Sequence, residues 1–291
     1  MSESVEEVGT APPRRKVVHA PRRPPWAEQG LLEVFRHRYI LTLLVRREVA
    51  APYQDSVLGL LWSYVNPLSQ FFIYSFVMGI LFGRDRATED FAVHVFAGLV
   101  IIHFFTETMN AGTRSIVRNK SLVQKMAVPR EMFPVASMLV SLFHVVPQVI
   151  ILLIATFLAG WRPDAWGLIF AVLSMLIITS LGTALALVFS AANVFLRDIS
   201  NAVNVLTNFV RFGSPMMYTF SLVAQRFHHH TAVYLLIPIS EAVLPFQRCF
   251  WVGANRHPAH TIAVDMPNNL FWLAIRAMLF SLVILAIAQS T

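Results

Sequence analysis

Six long apolar stretches alternate with short polar segments along the chain. A helix needs roughly 20 apolar residues to cross the hydrocarbon core of a bilayer, and each stretch is close to or above that length. The pattern predicts an all-α polytopic membrane protein with six transmembrane helices. We place these spans at residues 57–82, 91–112, 131–159, 166–192, 199–222 and 270–287.

Three further segments lie outside these spans. Residues 1–30 are rich in proline and arginine and predict a disordered basic tail on the cytoplasmic side, with no apolar core of the kind a cleavable signal peptide has. Residues 31–50 interleave apolar and charged positions, which predicts an amphipathic interfacial helix. Residues 223–269 hold two apolar pieces, 232–239 and 242–252, which are too short to span and predict a re-entrant or interfacial hairpin.

The low charge of the chain excludes a soluble domain. Only 13% of the residues are charged and 56% are hydrophobic, about half the charge of an ordinary soluble protein. With six spans, 15 of the 23 Lys and Arg residues fall on the side of the termini and six on the other side. The positive-inside rule therefore predicts that both termini are cytoplasmic.

Polar residues form a stripe along one face of three predicted spans, at the 3- and 4-residue spacings of a helix. Hydrogen bonding from helix to helix is one explanation. Glu107 and Arg211 favour a hydrophilic conduit instead, because a charge at mid-span costs about 2.5–3.5 kcal/mol and needs a partner or a cavity. The stripes are Ser63, Asn66, Gln70 and Tyr74 in the first span; His103, Glu107, Asn110 and Arg114 in the second; and Asn201, Asn204, Asn208 and Arg211 in the fifth, extended by Pro215 and Tyr218.

Aromatic residues interleave with the first and fifth stripes. Packing against lipid is the simpler interpretation, and stacking on sugar rings is the more specific one. Arg276, near the outer end of the sixth span, is expected to snorkel to the interface. The interleaved aromatics are Trp62, Tyr64, Phe71, Phe72, Tyr74, Phe209, Phe212 and Tyr218.

Motifs for catalysis or nucleotide binding are missing from the sequence. It contains no G-x-x-x-x-G-K-[ST] loop to hold ATP phosphates, no H-E-x-x-H and no cysteine cluster. The three histidines at 228–230 cannot easily converge on one ion, so we expect a solvated loop and no metal site. His103 and Glu107 lie four residues apart, which fits either a structural pair or, as the alternative, an intramembrane acid–base pair.

Several segments together resemble one family, the ABC-2 type exporter permeases, and within it the polysaccharide, O-antigen and teichoic-acid exporters. The resemblance covers about residues 31–290, in order and at the right spacing. It rests on residues 46–48, 53–62 and 66–67; on the run 119–125 leading to Pro129, Arg130 and Pro134; on residues 193–198; and on Ser214, Pro215 and Tyr218 of an S-P-x-x-Y motif. Where relatives often have Asn-Pro at the gate region, this chain has Ile237-Pro238.

The resemblance implies a transport function and partners. The chain would be the non-enzymatic transmembrane subunit of an ATP-driven exporter in the plasma membrane, working as a homodimer with two separate ATPase subunits that hold the ATP and Mg. The cargo would be a polyprenyl-diphosphate-linked glycan, galactan-like or O-antigen-like. Residues 223–269 would form external gate helices. A permease for drugs or small lipids, or an intramembrane lipid-modifying enzyme, is the alternative.

The resemblance also implies roles for particular residues. A coupling helix at about 115–128 would dock into the ATPase, and the basic residues Arg46, Arg47 and Arg197 would hold the lipid diphosphate. Coupling would use Arg118, Asn119, Lys120, Leu122 and Lys125. The translocation path would be lined by Trp62, Asn66, Gln70, Phe72, Tyr74, His103, Glu107, Asn110, Asn204, Asn208, Arg211, Phe212 and Tyr218.

Overall fold

The computed structural model describes residues 30–51, 59–82, 90–125, 128–226, 231–255 and 258–290, and these residues form helices and turns without a β-strand. The basic tail before residue 30, most of the 53–62 motif and the histidines at 228–230 lie outside the described residues. In chain order the helices are α1 (Leu31–Arg36), α2 (Arg38–Ala50), α3 (Trp62–Phe82, after the 3₁₀ turn Gly59–Leu61), α4 (Phe91–Arg118), α5 (Lys120–Lys125), α6 (Met132–Leu158), α7 (Ala165–Phe195), α8 (Ile199–Gly213), α9 (Phe220–Arg226), α10 (Thr231–Tyr234), α11 (Pro238–Ala254), α12 (Pro258–Asp265) and α13 (Leu270–Ser290).

Four helices of the described chain are long and apolar enough to cross a membrane: α4, α6, α7 and α13. The prediction of an all-helical, multi-span membrane protein is therefore confirmed, while the count of six spans stays a prediction. The bounds of α6, α7 and α13 agree with the predicted spans to within a few residues. The second span was predicted too short, because α4 continues to Arg118 and carries Arg114 on its last turns.

α4 is the centre of the fold. It packs against α3, α6, α7, α8 and α11, and its aromatic side chains Phe96, Phe104 and Phe105 are fully buried. α4 and α7 approach closely, since a Cβ atom on Gly112 would lie 2.5 Å from the Cβ of Ala186. Lipid provides no hydrophobic drive between helices, so close van der Waals packing at small residues holds such a bundle together.

The predicted fifth span is wrong as a continuous helix. α8 ends at Gly213, and the chain turns through Ser214 before α9 begins at Phe220. The break follows from Pro215, which lacks an N–H group and whose ring clashes with the carbonyl of residue 211 in a helix. Ser214 accordingly adopts the extended conformation, with φ −87° and ψ 153°, that is preferred before proline.

The apolar pieces predicted at 232–239 and 242–252 are also divided incorrectly. Residues 235–237 form a turn, and one buried 17-residue helix, α11, starts at Pro238. Proline is favoured in the first helical turn because the N–H it lacks would have no partner there. α11 contacts α4, α6, α7 and α13, so it is a core helix of the described fold.

Polar contacts tie α11 to its neighbours on several sides. The Trp161 Nε1 atom donates to the carbonyl of Cys249 at 3.0 Å, and Arg248 pairs with Asp164 at 2.9 Å. Arg276 of α13 donates to the Glu241 carboxylate and, at 2.5 Å, to the carbonyl of Leu235. Snorkelling of Arg276 stays a prediction: its side chain is 47% exposed, but its guanidinium also pairs with an acid whose side chain is only 2% exposed.

A second, smaller apolar cluster joins the N-terminal helices to the start of α6. Leu41 and Leu44 of α2 are buried against Met132, Phe133 and neighbouring residues. The predicted helix at 31–50 is present, but it divides into α1 and α2 at His37. The predicted coupling helix is also divided: residues 115–118 belong to α4, and α5 covers only Lys120–Lys125.

Candidate functional site

A cluster of four polar side chains joins α4 to α6. The Nδ1 atom of His144 donates to Oε1 of Glu107 at 2.5 Å, and Nε2 of Gln148 donates to Nδ1 of His103 at 2.7 Å. His103 and Glu107 are one turn apart on α4, and His144 and Gln148 are one turn apart on α6. Each residue of the α4 pair therefore contacts one residue of the α6 pair. We call these four residues the α4–α6 cluster.

Hydrogen-bonding capacity remains in this cluster. Oε2 of Glu107, Nε2 of His144 and Oε1 of Gln148 are buried atoms without a hydrogen-bond partner in the described chain. The Glu107 and His144 side chains nonetheless keep 24% and 23% of their surface exposed. Polar atoms of this kind are costly against lipid and are found where a span faces water or polar cargo.

α8 extends this polar region to the other flank of α4. The Asn110 amide donates to Oγ1 of Thr207 at 3.4 Å, and Arg211 lies near enough to His103 to interact with it electrostatically. The helix buries Val203 and Thr207. On α8, Asn204 is half-buried, while Asn208, Arg211 and Phe212 are exposed.

Most of the polar stripe predicted in the first span does not contact this polar region within the described chain. α3 packs against α4 and α6, and Tyr74 contacts the main core. The other path candidates on α3, which are Trp62, Asn66, Gln70 and Phe72, are exposed. α4 therefore contacts both α3 and α8, and each of these helices leaves a polar and aromatic face open.

Tyr218 has a structural role in the turn between α8 and α9. Its hydroxyl donates to the carbonyl of Gly213 at 2.7 Å and lies 3.3 Å from the Tyr234 hydroxyl. The same turn is held from inside, because Nε2 of Gln247 donates to the carbonyl of Pro215 at 2.8 Å and to that of His94 at 3.2 Å. Sequence reasoning missed Gln247 and His94, which lie 153 positions apart.

A second polar assembly surrounds the corner between α4 and α5. Arg118 at the end of α4 pairs with Glu48 of α2. Arg47 donates to Oδ1 of Asn119 at 2.6 Å, and Nδ2 of Asn119 donates to Glu48 at 3.5 Å and to the Ser115 carbonyl at 3.0 Å. We call Arg47, Glu48, Arg118 and Asn119 the α2–α5 clamp.

The sequence profile of one family, described as ABC-2 type transporter, matches residues 39–243, which is well over half of the chain. The chain belongs to the ABC-2 type transporter family. The match starts in α2 and ends in α11, so it includes the α2–α5 clamp and the α4–α6 cluster.

Curated relatives agree with this assignment. An O-antigen export system permease protein RfbA from Myxococcus xanthus is 25% identical over 219 residues, covering 75% of this chain and 83% of the relative. A protein of the same name from Klebsiella pneumoniae is 21% identical over 217 residues, covering 74% of this chain and 81% of the relative. Families of this kind supply transporter subunits, so the chain is a component of a membrane transporter.

The coupling candidates of this ABC-2 chain fall into two groups. Lys120 and Lys125 are exposed on α5, while Leu122 packs against the smaller apolar cluster. Asn119 is only 5% exposed and serves as the corner that joins α4 to α5. The Arg118 guanidinium donates a hydrogen bond to the Glu48 carboxylate. The two lysines and the exposed part of the Arg118 side chain therefore remain candidates for direct contact with a partner.

The basic residues expected to hold a lipid diphosphate also differ from one another. Arg46 and Arg197 are exposed, whereas Arg47 is engaged with Asn119. No group of three or more metal-binding side chains occurs among the residues that the structure describes.

The sequence spacing of His144 and Gln148 indicates a polar pair on one face of the third predicted span, which the predicted site did not include. They repeat, in the third predicted span, the four-residue spacing of His103 and Glu107 in the second. Two polar pairs of equal spacing on consecutive spans can face one another across an antiparallel helix pair.

Proposed function

We propose that this chain is the transmembrane subunit of an ATP-driven exporter of a polyprenyl-diphosphate-linked glycan. Two copies would work with two copies of a separate ATPase that binds ATP and Mg, and the complex would lie in the plasma membrane with both termini in the cytoplasm. The glycan would be O-antigen-like or galactan-like. The cargo proposal draws on the relatives named as O-antigen export permeases.

One structural observation carries the proposal: polar and aromatic residues alternate on open faces beside a charged cluster inside the helical core. α3 exposes Trp62 and Phe72, and α8 exposes Asn208, Arg211 and Phe212. An apolar cargo would need no amides or charges along its route. A glycan needs both hydrogen-bonding groups for its hydroxyls and flat rings for the apolar faces of its sugars.

The second copy completes this route in the proposal. In the part of the chain that the structure describes, no helix covers the open faces of α3 and α8, and large apolar side chains such as Phe209 and Phe76 are more than half exposed there. A twofold arrangement of two chains would place these faces on either side of a shared path. The exposed lysines of α5 would then lie on the cytoplasmic side, available to the ATPase.

An intramembrane enzyme is supported less well by the same contacts. His103 and Glu107 would have to act as acid and base, yet both are bonded to residues of α6. Their own contact, from Nδ1 of His103 to Oε2 of Glu107, is 3.9 Å, longer than a hydrogen bond.

Removing three open aromatics tests the proposal. We expect the combined change Trp62→Ala, Phe72→Ala and Phe212→Ala to reduce glycan export at least ~10-fold. Each aromatic contact is worth about 0.5–1.5 kcal/mol, so three lost contacts suffice for that reduction. Export is measured as surface glycan in cells that carry the ATPase and the glycan synthesis enzymes.

A matched variant supplies the control for this experiment. Phe157, Trp166 and Trp272 are exposed to a similar degree, but they lie on α6, α7 and α13, outside the proposed path. Changing these three to alanine should leave export near the wild-type level. Equal losses in both triple variants, with equal amounts of chain bound to the ATPase, would contradict the aromatic route.

A further inference from the structure

Glu48 is the residue on which the α2–α5 clamp converges. Its carboxylate is contacted by Arg118 from the end of α4, by Asn119 from the corner before α5, and by its neighbour Arg47. Only 15% of the Glu48 side chain is exposed. Arg118 and Asn119 are 70 and 71 positions away from Glu48 in the sequence, so these two contacts are tertiary.

The corner at Asn119 is tied down by this carboxylate. The backbone carbonyl of Asn119 accepts from the N–H groups of Leu122 at 2.9 Å and Val123 at 3.1 Å, which starts α5. Its side-chain amide links the same corner to Arg47, Glu48 and the Ser115 carbonyl. The direction in which α5 leaves α4 therefore depends on where α2 holds Asn119.

α2 connects this corner to α6. Leu41 and Leu44 lie two turns and one turn before Glu48 on the same face of α2, and they are buried against Met132, Phe133, Val135 and Ala136 at the start of α6. Leu122 and Val123 of α5 pack against the same cluster. A displacement of α5 thus reaches α4 through the backbone, and it reaches α6 by two routes: through Glu48 and α2, and through the apolar contacts of α5 itself.

We propose that Glu48 is a positioning residue that locks α5 to α2, so that force applied at α5 moves α4 and α6 together. This inference rests on the proposed function in one respect, that an ATPase acts on α5. Without the Glu48 carboxylate, α5 would still meet its partner through Lys120 and Lys125, but less of its movement would reach α6, because only the apolar contacts of α5 would carry it there. ATP hydrolysis would continue while transport fell.

Four variants of the full chain, purified with its ATPase in lipid, test the lock: Glu48→Gln, Arg118→Gln, the double variant, and Glu33→Gln as control. Glu33 is a carboxylate of α1 whose ion pairs are local, with Arg36 and His37. We expect each clamp variant to export at least ~5-fold less glycan per ATP hydrolysed, the lower end of ordinary coupling between linked sites. The double variant should lose no more export per ATP than the more impaired of the two single variants.

Hydrogen exchange of the same samples tests the lock without any cargo. We expect the amides of residues 119–125 to exchange faster in Glu48→Gln and in Arg118→Gln, and at the wild-type rate in Glu33→Gln. Unchanged exchange in Glu48→Gln overturns the inference whatever the cargo is. Export losses that multiply in the double variant also overturn it, since the two residues would then act separately. A wild-type complex without glycan export contradicts the proposed function instead.

Discussion

Arg276→Leu is expected to lower the free energy of unfolding by about 3–5 kcal/mol. The change leaves the carboxylate of Glu241, in the first turn of α11, buried without the guanidinium that compensates its charge. It also removes the donor to the Leu235 carbonyl in the turn before α11. Denaturant unfolding of the purified chain in detergent, followed by tryptophan fluorescence, measures the loss.

Two further variants identify the cause of this loss. Arg226→Leu removes an exposed arginine from α9 and should change stability little. The double variant Glu241→Leu with Arg276→Leu should regain most of the lost stability, because it removes the buried charge together with its partner. Wild-type stability in Arg276→Leu alone would show that the pair does not hold α11 to α13.

Replacing both members of the Glu107–His144 pair by leucine is expected to separate stability from transport. His144→Leu alone should destabilise the chain by about 3 kcal/mol, because the Glu107 carboxylate loses its 2.5 Å partner inside a span. The double variant should regain stability, yet export at least ~10-fold less glycan than the wild type, since the route loses its charged, wettable wall. Unfolding and surface-glycan assays on the same variants measure the two effects.

A buried pair away from the proposed route serves as the control. Ser180 of α7 and Ser281 of α13 share a 2.7 Å hydrogen bond between two spans, as Glu107 and His144 do. Changing both serines to alanine should leave export near the wild-type level. Recovery of export along with stability in the Glu107 and His144 double variant would make that pair a packing contact only.

The apolar pattern predicted the long helices well and the interrupted ones poorly. α6, α7 and α13 are continuous apolar runs between clear polar breaks, which a hydropathy pattern detects directly. α8 was extended through Pro215 because the polar stripe continued to Tyr218, although proline ends a helix. α11 was divided because Ser240 and Glu241 interrupt an apolar run, and the partner of Glu241 lies on another helix.

The candidate site was predictable only where its members share a helix. His103 and Glu107 are visible as a four-residue repeat, but their partners are 45 and 37 positions away. The three basic residues proposed for a lipid diphosphate show the same limit, because charge alone did not reveal that Arg47 is held by Asn119. Local spacing identifies a face of a helix, and the neighbour of that face depends on the tertiary fold.

The late position of α11 in the chain has a consequence for biogenesis. α4 reaches the membrane early in synthesis, yet the residues that cover its His94 end, Gln247 and Trp251, are made about 150 residues afterwards. Until then the polar imidazole of His94 lacks the two residues that cover it, and a polar ring that faces lipid is costly. A ribosome that stops before Pro238 therefore releases a chain whose central helix is inserted but unshielded, a form that membrane quality control would recognise and degrade.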